Sequence, residues 1–106
     1  MPVTIQSNTS SEFLFSEELT IYTAAETMEA IRPELKKNLP VQLNLSEVTE
    51  IDAAGLQILL AIKLHADSNA QDFKINGRSE PVTELLELGD LAGYFGEPVV
   101  LSATAA

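Results

Sequence analysis

The 106-residue chain contains no cysteine and no tryptophan. Disulfide frameworks, zinc–thiolate sites and cysteine nucleophiles are therefore excluded. Positive charge is also scarce: six Lys and Arg stand against sixteen Asp and Glu, for a formal charge of −10. A phosphate backbone would be repelled by such a surface, so nucleic-acid binding is not expected. An anionic membrane surface is equally unattractive. No apolar run approaches the ~20 residues of a membrane span, and direct membrane insertion is not expected. "MPVTIQSNTS" lacks the basic and apolar regions of a secretory signal, and the expected location is cytoplasmic. No Walker loop or GxGxxG fingerprint occurs, so no cofactor is expected.

What is present is enough apolar material for a core: 45% of the residues are hydrophobic. The length suits one domain over 1–106. The acidic balance has a natural complement in a protein with a basic patch.

Periodicity predicts strands alternating with helices. Val3-Thr4-Ile5 and Phe13-Leu14-Phe15 flank the polar turn Ser7 to Ser11 and read as a hairpin. Thr23-Ala24-Ala25-Glu26 has the spacing of a capping box. The helix it opens places Ala24, Met28, Ile31 and Leu35 on one face; Pro33 is expected to kink or interrupt it, and Asn38-Leu39-Pro40 ends it. Val41 to Leu45 alternates as a strand, and Ser46 to Glu50 reads as a loop plugged by Val48. A helical pattern runs from Ala53 to about Asn69. Phe73 to Ile75 is a short strand before the turn signal Asn76-Gly77. A helix starts at Ser79 or Glu80 with Gly89 as its C-cap. Pro98 to Leu101 is a candidate last strand, with residues 102–106 as a frayed tail. The order β-β-α-β-α-β-α-β implies an α/β fold with a sheet at least partly parallel.

The chemistry concentrates in "EIDAAGLQILLAIK", Glu50 to Lys63. Asp52 stands at the N-cap of the helix, where its carboxylate accepts a backbone N–H of Ala54 or Gly55. Gly55 costs ~1 kcal/mol against alanine in a helix interior. It is either packed closely against the preceding strand, merely tolerated, or kept small for a ligand. A helix N-terminus with free donors is also a general anion site. Beyond it, Leu56, Leu60 and Leu64 form a line while Ile58, Leu59, Ile62 and Ala66 point elsewhere. An all-round apolar helix is sandwiched on several sides or offers a strip to a partner. His65 is the single histidine and assembles no nucleophile–base set. Glu47, Glu50 and Asp52 lack the dense oxygen spacing of a calcium loop. No enzyme activity is expected.

"VQLNLSEVTEIDAAGLQILLAIK" resembles the STAS domain, named for sulfate transporters and anti-sigma factor antagonists. The family pattern is a strand, Asp-Leu-Ser, a short loop, then Asp-Ser-Ser/Thr-Gly-Leu opening an apolar helix. Here the two stretches read Asn44-Leu45-Ser46 and Asp52-Ala53-Ala54-Gly55-Leu56. "EELTIYTAAE" and "FKINGRSEPVTELLELGDLAGYFG" resemble the flanking family elements. The resemblance implies a STAS-like mixed sheet of four to five strands, with helices mainly on one face. It implies a stand-alone, non-catalytic protein-binding module of the anti-sigma factor antagonist type. Its partner would be an anti-sigma factor or serine-kinase-like ATPase, or a histidine-kinase signalling complex such as the chemosensory ones of bacteria. In switched relatives a kinase phosphorylates the hydroxyl just before the motif glycine. That position is Ala54, which has no hydroxyl to modify. Ser46 and Thr49 lie nearby but off the motif position, and Asn44 replaces the usual aspartate. The resemblance places partner binding on Asn44, Ser46, Thr49, Asp52, Ala53, Ala54, Gly55, Leu56, Gln57 and Leu60. It also admits an alternative role, the small STAS subunit of an ABC-type lipid-transport complex.

Overall fold

The computed structural model describes residues 3–89 and 94–95. Seven elements follow one another: β1 (Val3–Ser7), β2 (Ser11–Leu19), α1 (Ala24–Leu35), β3 (Val41–Ile51), α2 (Ala53–Ser68), β4 (Phe73–Arg78) and α3 (Glu80–Leu88). The strands form one sheet in the order β1-β2-β3-β4. β1 and β2 pair antiparallel, as the expected hairpin, and β2–β3 and β3–β4 are parallel. The fold is thus α/β with a mixed four-stranded sheet. The candidate strand Pro98 to Leu101 and the tail at 102–106 lie outside the described residues.

Alternation along the strands separates two faces. Val3, Phe13, Phe15, Val41, Leu43 and Leu45 point inward, where Ile31 and Leu35 of α1, Ile58, Leu59 and Ile62 of α2, and Val82 and Leu86 of α3 complete one core. Phe95 joins that core, its ring 6.1 Å from Phe73. The other face carries Thr4, Gln6, Glu12, Gln42, Asn44 and Asn76 around a shallow recess.

Four expectations differ from the structure. Ser46 to Glu50 is not a loop: β3 runs through it to Ile51. Two register shifts against β2 insert extra β3 residues, one between Asn44 and Glu47 and one between Val48 and Glu50. Each bulge breaks the period of two that a sequence pattern relies on, while Val48 still reaches the core. Asn76-Gly77 is not a turn either. It lies inside β4, where Asn76 is the extra residue between the pairs Leu43–Ile75 and Asn44–Gly77. Thr23 occupies the N-cap of α1 without capping it. Its hydroxyl accepts from the Thr20 N–H and faces the Glu18 and Thr20 carbonyls instead.

Pro33 does not interrupt α1. It falls in the last turn, and the helix continues to Leu35. Asn38 then adopts φ 57°, the left-handed conformation that asparagine tolerates, and turns the chain toward β3.

Glu34 is the buried charge among the described residues. It accepts a 2.7 Å hydrogen bond from the Ser11 hydroxyl and pairs with Lys37 at 2.9 Å. Burial raises its pKa, but the bonds from Ser11, Lys37 and Ser7 prevail and hold it below its ordinary value. The end of α1 is thereby tied to the start of β2.

Candidate functional site at the start of α2

The site is assembled where β2 and β3 end side by side and α2 begins. Asp52 is extended, at φ −126° and ψ −171°, and caps α2. One carboxylate oxygen accepts the Gly55 N–H at 3.0 Å, as the cap spacing predicts. The other accepts the Ile21 N–H at 3.1 Å, from the loop that joins β2 to α1. A contact across 31 residues leaves no periodic trace, so the sequence pattern does not reveal the second bond.

These two N–H groups, Gly55 foremost, hold the Asp52 carboxyl below its usual range. The carboxylate stays charged, fills the positive end of α2 and clamps two elements together. One donor of the helix terminus, the Gly55 N–H, is taken by Asp52, which is itself the anion at the positive end of α2.

Gly55 is buried, and its lack of a side chain is a packing requirement. A Cβ there would overlap the Leu19 carbonyl oxygen and lie 2.9 Å from Ile51 Cγ1. This favours close packing among the three roles open to Gly55. Both β2 and β3 press on the first turn of the helix.

The remaining expected residues sort by position. Ala53 and Gln57 are exposed, and Ala54 is half-buried on the same first turns. Leu56 and Leu60 are half-buried and pack against the core, while Leu64, further along that line, is 56% exposed. Ile58, Leu59, Ile62 and Ala66 form the fully buried side. The helix is thus sandwiched on one side and keeps a strip of small and apolar residues in contact with solvent.

Asn44 and Ser46 belong to a different cluster. Asn44 Oδ1 accepts from the Ser46 backbone N–H at 3.0 Å and from its hydroxyl at 2.6 Å. Asn44 stands on the open sheet face, beside Gly77. No hydrogen bond joins this pair to Asp52 among the described residues. Thr49 is exposed at the second β3 bulge, between the two clusters in sequence.

His65 lies 13 positions along the helix from Asp52, about 20 Å at 1.5 Å per residue. Its Nδ1 is 2.9 Å from Gln71 Oε1, and Gln71 Nε2 donates to the Leu39 carbonyl at 2.7 Å. The imidazole therefore braces the exit of α2. Among the described residues no group of three His, Cys, Asp or Glu could hold a metal ion, and no helix is long and apolar enough to cross a membrane.

The sheet order, the capped helix after β3 and the motif Asp52-Ala53-Ala54-Gly55-Leu56 now stand together. The family model described as "Mlab, STAS domain" matches residues 13–101. The chain belongs to the STAS domain family. Solved structures share the fold. A candidate anti-sigma factor antagonist from Thermotoga maritima superposes with a TM-score of 0.77 at 22% identity, over 97% of this chain and 92% of that one. An anti-sigma factor antagonist from Mycobacterium paratuberculosis gives 0.78 at 21%, over 97% and 90%. No curated protein matches the sequence. Within this STAS domain, the α2 start is a clamped surface with alanine at the position before the motif glycine.

Proposed function

We propose that this STAS domain is a non-catalytic regulatory module that binds a protein partner through the loop-and-helix surface from Asp52 to Leu64. The observation that carries the reading is the clamped first turn of α2. Asp52 spends both oxygens on backbone N–H groups, so it holds a shape rather than moving a proton. Around it stand the exposed Ala53 and Gln57 and the half-buried Ala54, small or uncharged side chains. The two alanines have no side-chain rotamers to lose, which suits a docking surface.

Ala54 gives the module its direction. A phosphate at that position would add about −1.5 to −2 charges to an interface. Alanine keeps the surface permanently in the unmodified form, so the domain is competent to bind without a modification cycle there. Regulation then acts elsewhere, on the partner or on the amount of this protein. The partner in this reading is an anti-sigma factor or serine-kinase-like ATPase, or a histidine-kinase signalling complex. The fold shared with anti-sigma factor antagonists supports the first of these.

A second reading draws on the family model, whose description carries the name Mlab. In it the domain is the small STAS subunit of an ABC-type lipid-transport complex, docked through the same helix. Matched baits separate the readings. Wild type and Ala54→Glu are exposed in parallel to soluble extract and to detergent-solubilised membranes. Retention of a soluble kinase-like protein by wild type alone supports the first reading. Retention of a membrane ATPase–permease supports the second. Equal retention of every protein by both baits removes the α2 start as the binding surface.

A further inference from the structure

The loop between β2 and α1 holds two apolar side chains in water. Ile21 is 67% exposed and Tyr22 90%. Neither exposure follows from slack in the chain, because the loop is tied at every residue. The Thr20 N–H donates to Thr23 Oγ1 at 3.1 Å, and the Thr23 N–H donates to the Thr20 carbonyl at 3.0 Å. The Tyr22 N–H donates to Thr20 Oγ1 at 3.3 Å, and that hydroxyl donates to Glu18 Oε1 at 2.6 Å. Asp52 takes the Ile21 N–H. Because the same carboxylate binds Gly55, Ile21 and the first turn of α2 lie within one carboxylate's span.

Isolated surface apolar residues are ordinary. Two neighbours on a locked loop, beside a surface of alanines, are a knob whose backbone ordering entropy is already lost. Tyrosine is among the side chains that most often dominate binding energy, since it buries a large area at the cost of few rotatable bonds.

The charges around the knob say what covers it. Glu18 and Glu50 are direct cross-strand partners, like charges that oppose each other on neighbouring strands. Among the described residues the salt bridges are Lys37–Glu34 and Lys63–Asp67, neither at this end of the molecule. A second copy of the chain would bring −10 against −10, and an anionic lipid surface would be repelled likewise. A protein surface bearing Lys or Arg relieves the repulsion.

We propose that Ile21 and Tyr22 anchor the partner interface, entering an apolar recess whose rim carries Lys or Arg facing Glu18 and Glu50. This rests on the reading that the start of α2 binds a protein, and it adds the loop and the partner's chemistry. The probe is the protein retained by wild type and lost by Ala54→Glu, purified and titrated against Tyr22→Ala, Ile21→Ser and the double variant Glu18→Gln, Glu50→Gln. Glutamine keeps the acceptor that Thr20 uses. Tyr22→Ala weakens binding by about thirtyfold, chiefly through faster dissociation. The double variant slows association and flattens its dependence on salt. If Tyr22→Ala and Ile21→Ser bind within about twofold of wild type while Ala54→Glu does not bind, the anchor is wrong and the α2 reading stands. If wild type retains no protein, both fall. Phosphatidylcholine vesicles and wild type alone at high concentration are controls. Sedimentation with vesicles, or self-association, that Tyr22→Ala abolishes overturns the proposal in favour of a membrane or a second copy.

Discussion

Gly55 shows how a single position couples packing to the site. Alanine there would ordinarily gain about 1 kcal/mol in helix propensity. Its methyl group would instead run into the Leu19 carbonyl, a backbone atom that cannot rotate away. Overpacking of that kind costs about 1–3 kcal/mol, so the propensity gain does not decide the sign. Gly55→Ala is expected to lower stability, read as a lower urea midpoint with an unchanged slope; a raised midpoint would show that β2 and α2 separate easily. Ala54 is the opposite case. Its meaning lies in the missing oxygen, which the resemblance to switched relatives brings out and which packing alone does not.

Asp52 acts at the scale of elements, because its two oxygens serve different partners. Asp52→Asn keeps an acceptor for the Gly55 N–H but turns an amide toward the Ile21 N–H, donor against donor. Hydrogen exchange should speed up at Ile21 and through the loop at 20–23, while the α2 amides keep their protection. Equal loss in both would mean that loop and helix move as one unit. Glu34 is the corresponding tie at the far end of α1. Its folded pKa is depressed, so the stability it contributes is complete above its ordinary value of 4.5 and is lost as pH falls through the lower folded value. Ser11→Ala removes the bond to Oε2, so the variant should be less stable at neutral pH. The deficit should stay constant above pH 4.5 and narrow below it, as pH falls through the depressed folded value and the carboxyl protonates. A deficit that stays constant with pH would show that Ser11 serves packing alone.

The same elements show how far a linear pattern reaches. The hairpin, the helix from Ala53 and the Asp52 cap are local features, and they are legible because spacing of two or 3.6 residues encodes them. The end of β3 and the Asn76-Gly77 bulge were hidden, since an inserted residue mimics a loop or a turn until the neighbouring strand is known. The Ile21 bond to Asp52 was hidden for a related reason: it joins elements 31 residues apart. Thr23 had the sequence of a cap, yet its hydroxyl was better satisfied by its own loop.

At the scale of the molecule, the three helices and the sheet make a one-sided platform. Its open face is polar apart from Leu14, and its α2 end gathers Glu17, Glu18, Glu47, Glu50 and Asp52. Three of the six basic residues, Arg32, Lys36 and Lys37, stand at the opposite end of α1. In the proposed reading, that separation gives the domain a direction in which a basic partner is steered. The central claim is that the α2 start is a binding surface kept permanently in its unmodified form. The most direct measurement is the affinity of the retained partner for wild type, Ala54→Ser and Ala54→Glu, by titration of purified proteins in the absence of ATP. The expected result is equal binding by alanine and serine and a loss of at least about tenfold with glutamate, because a charge buried unpaired at an interface is costly. Equal affinity for all three would contradict the claim and move the interface away from α2.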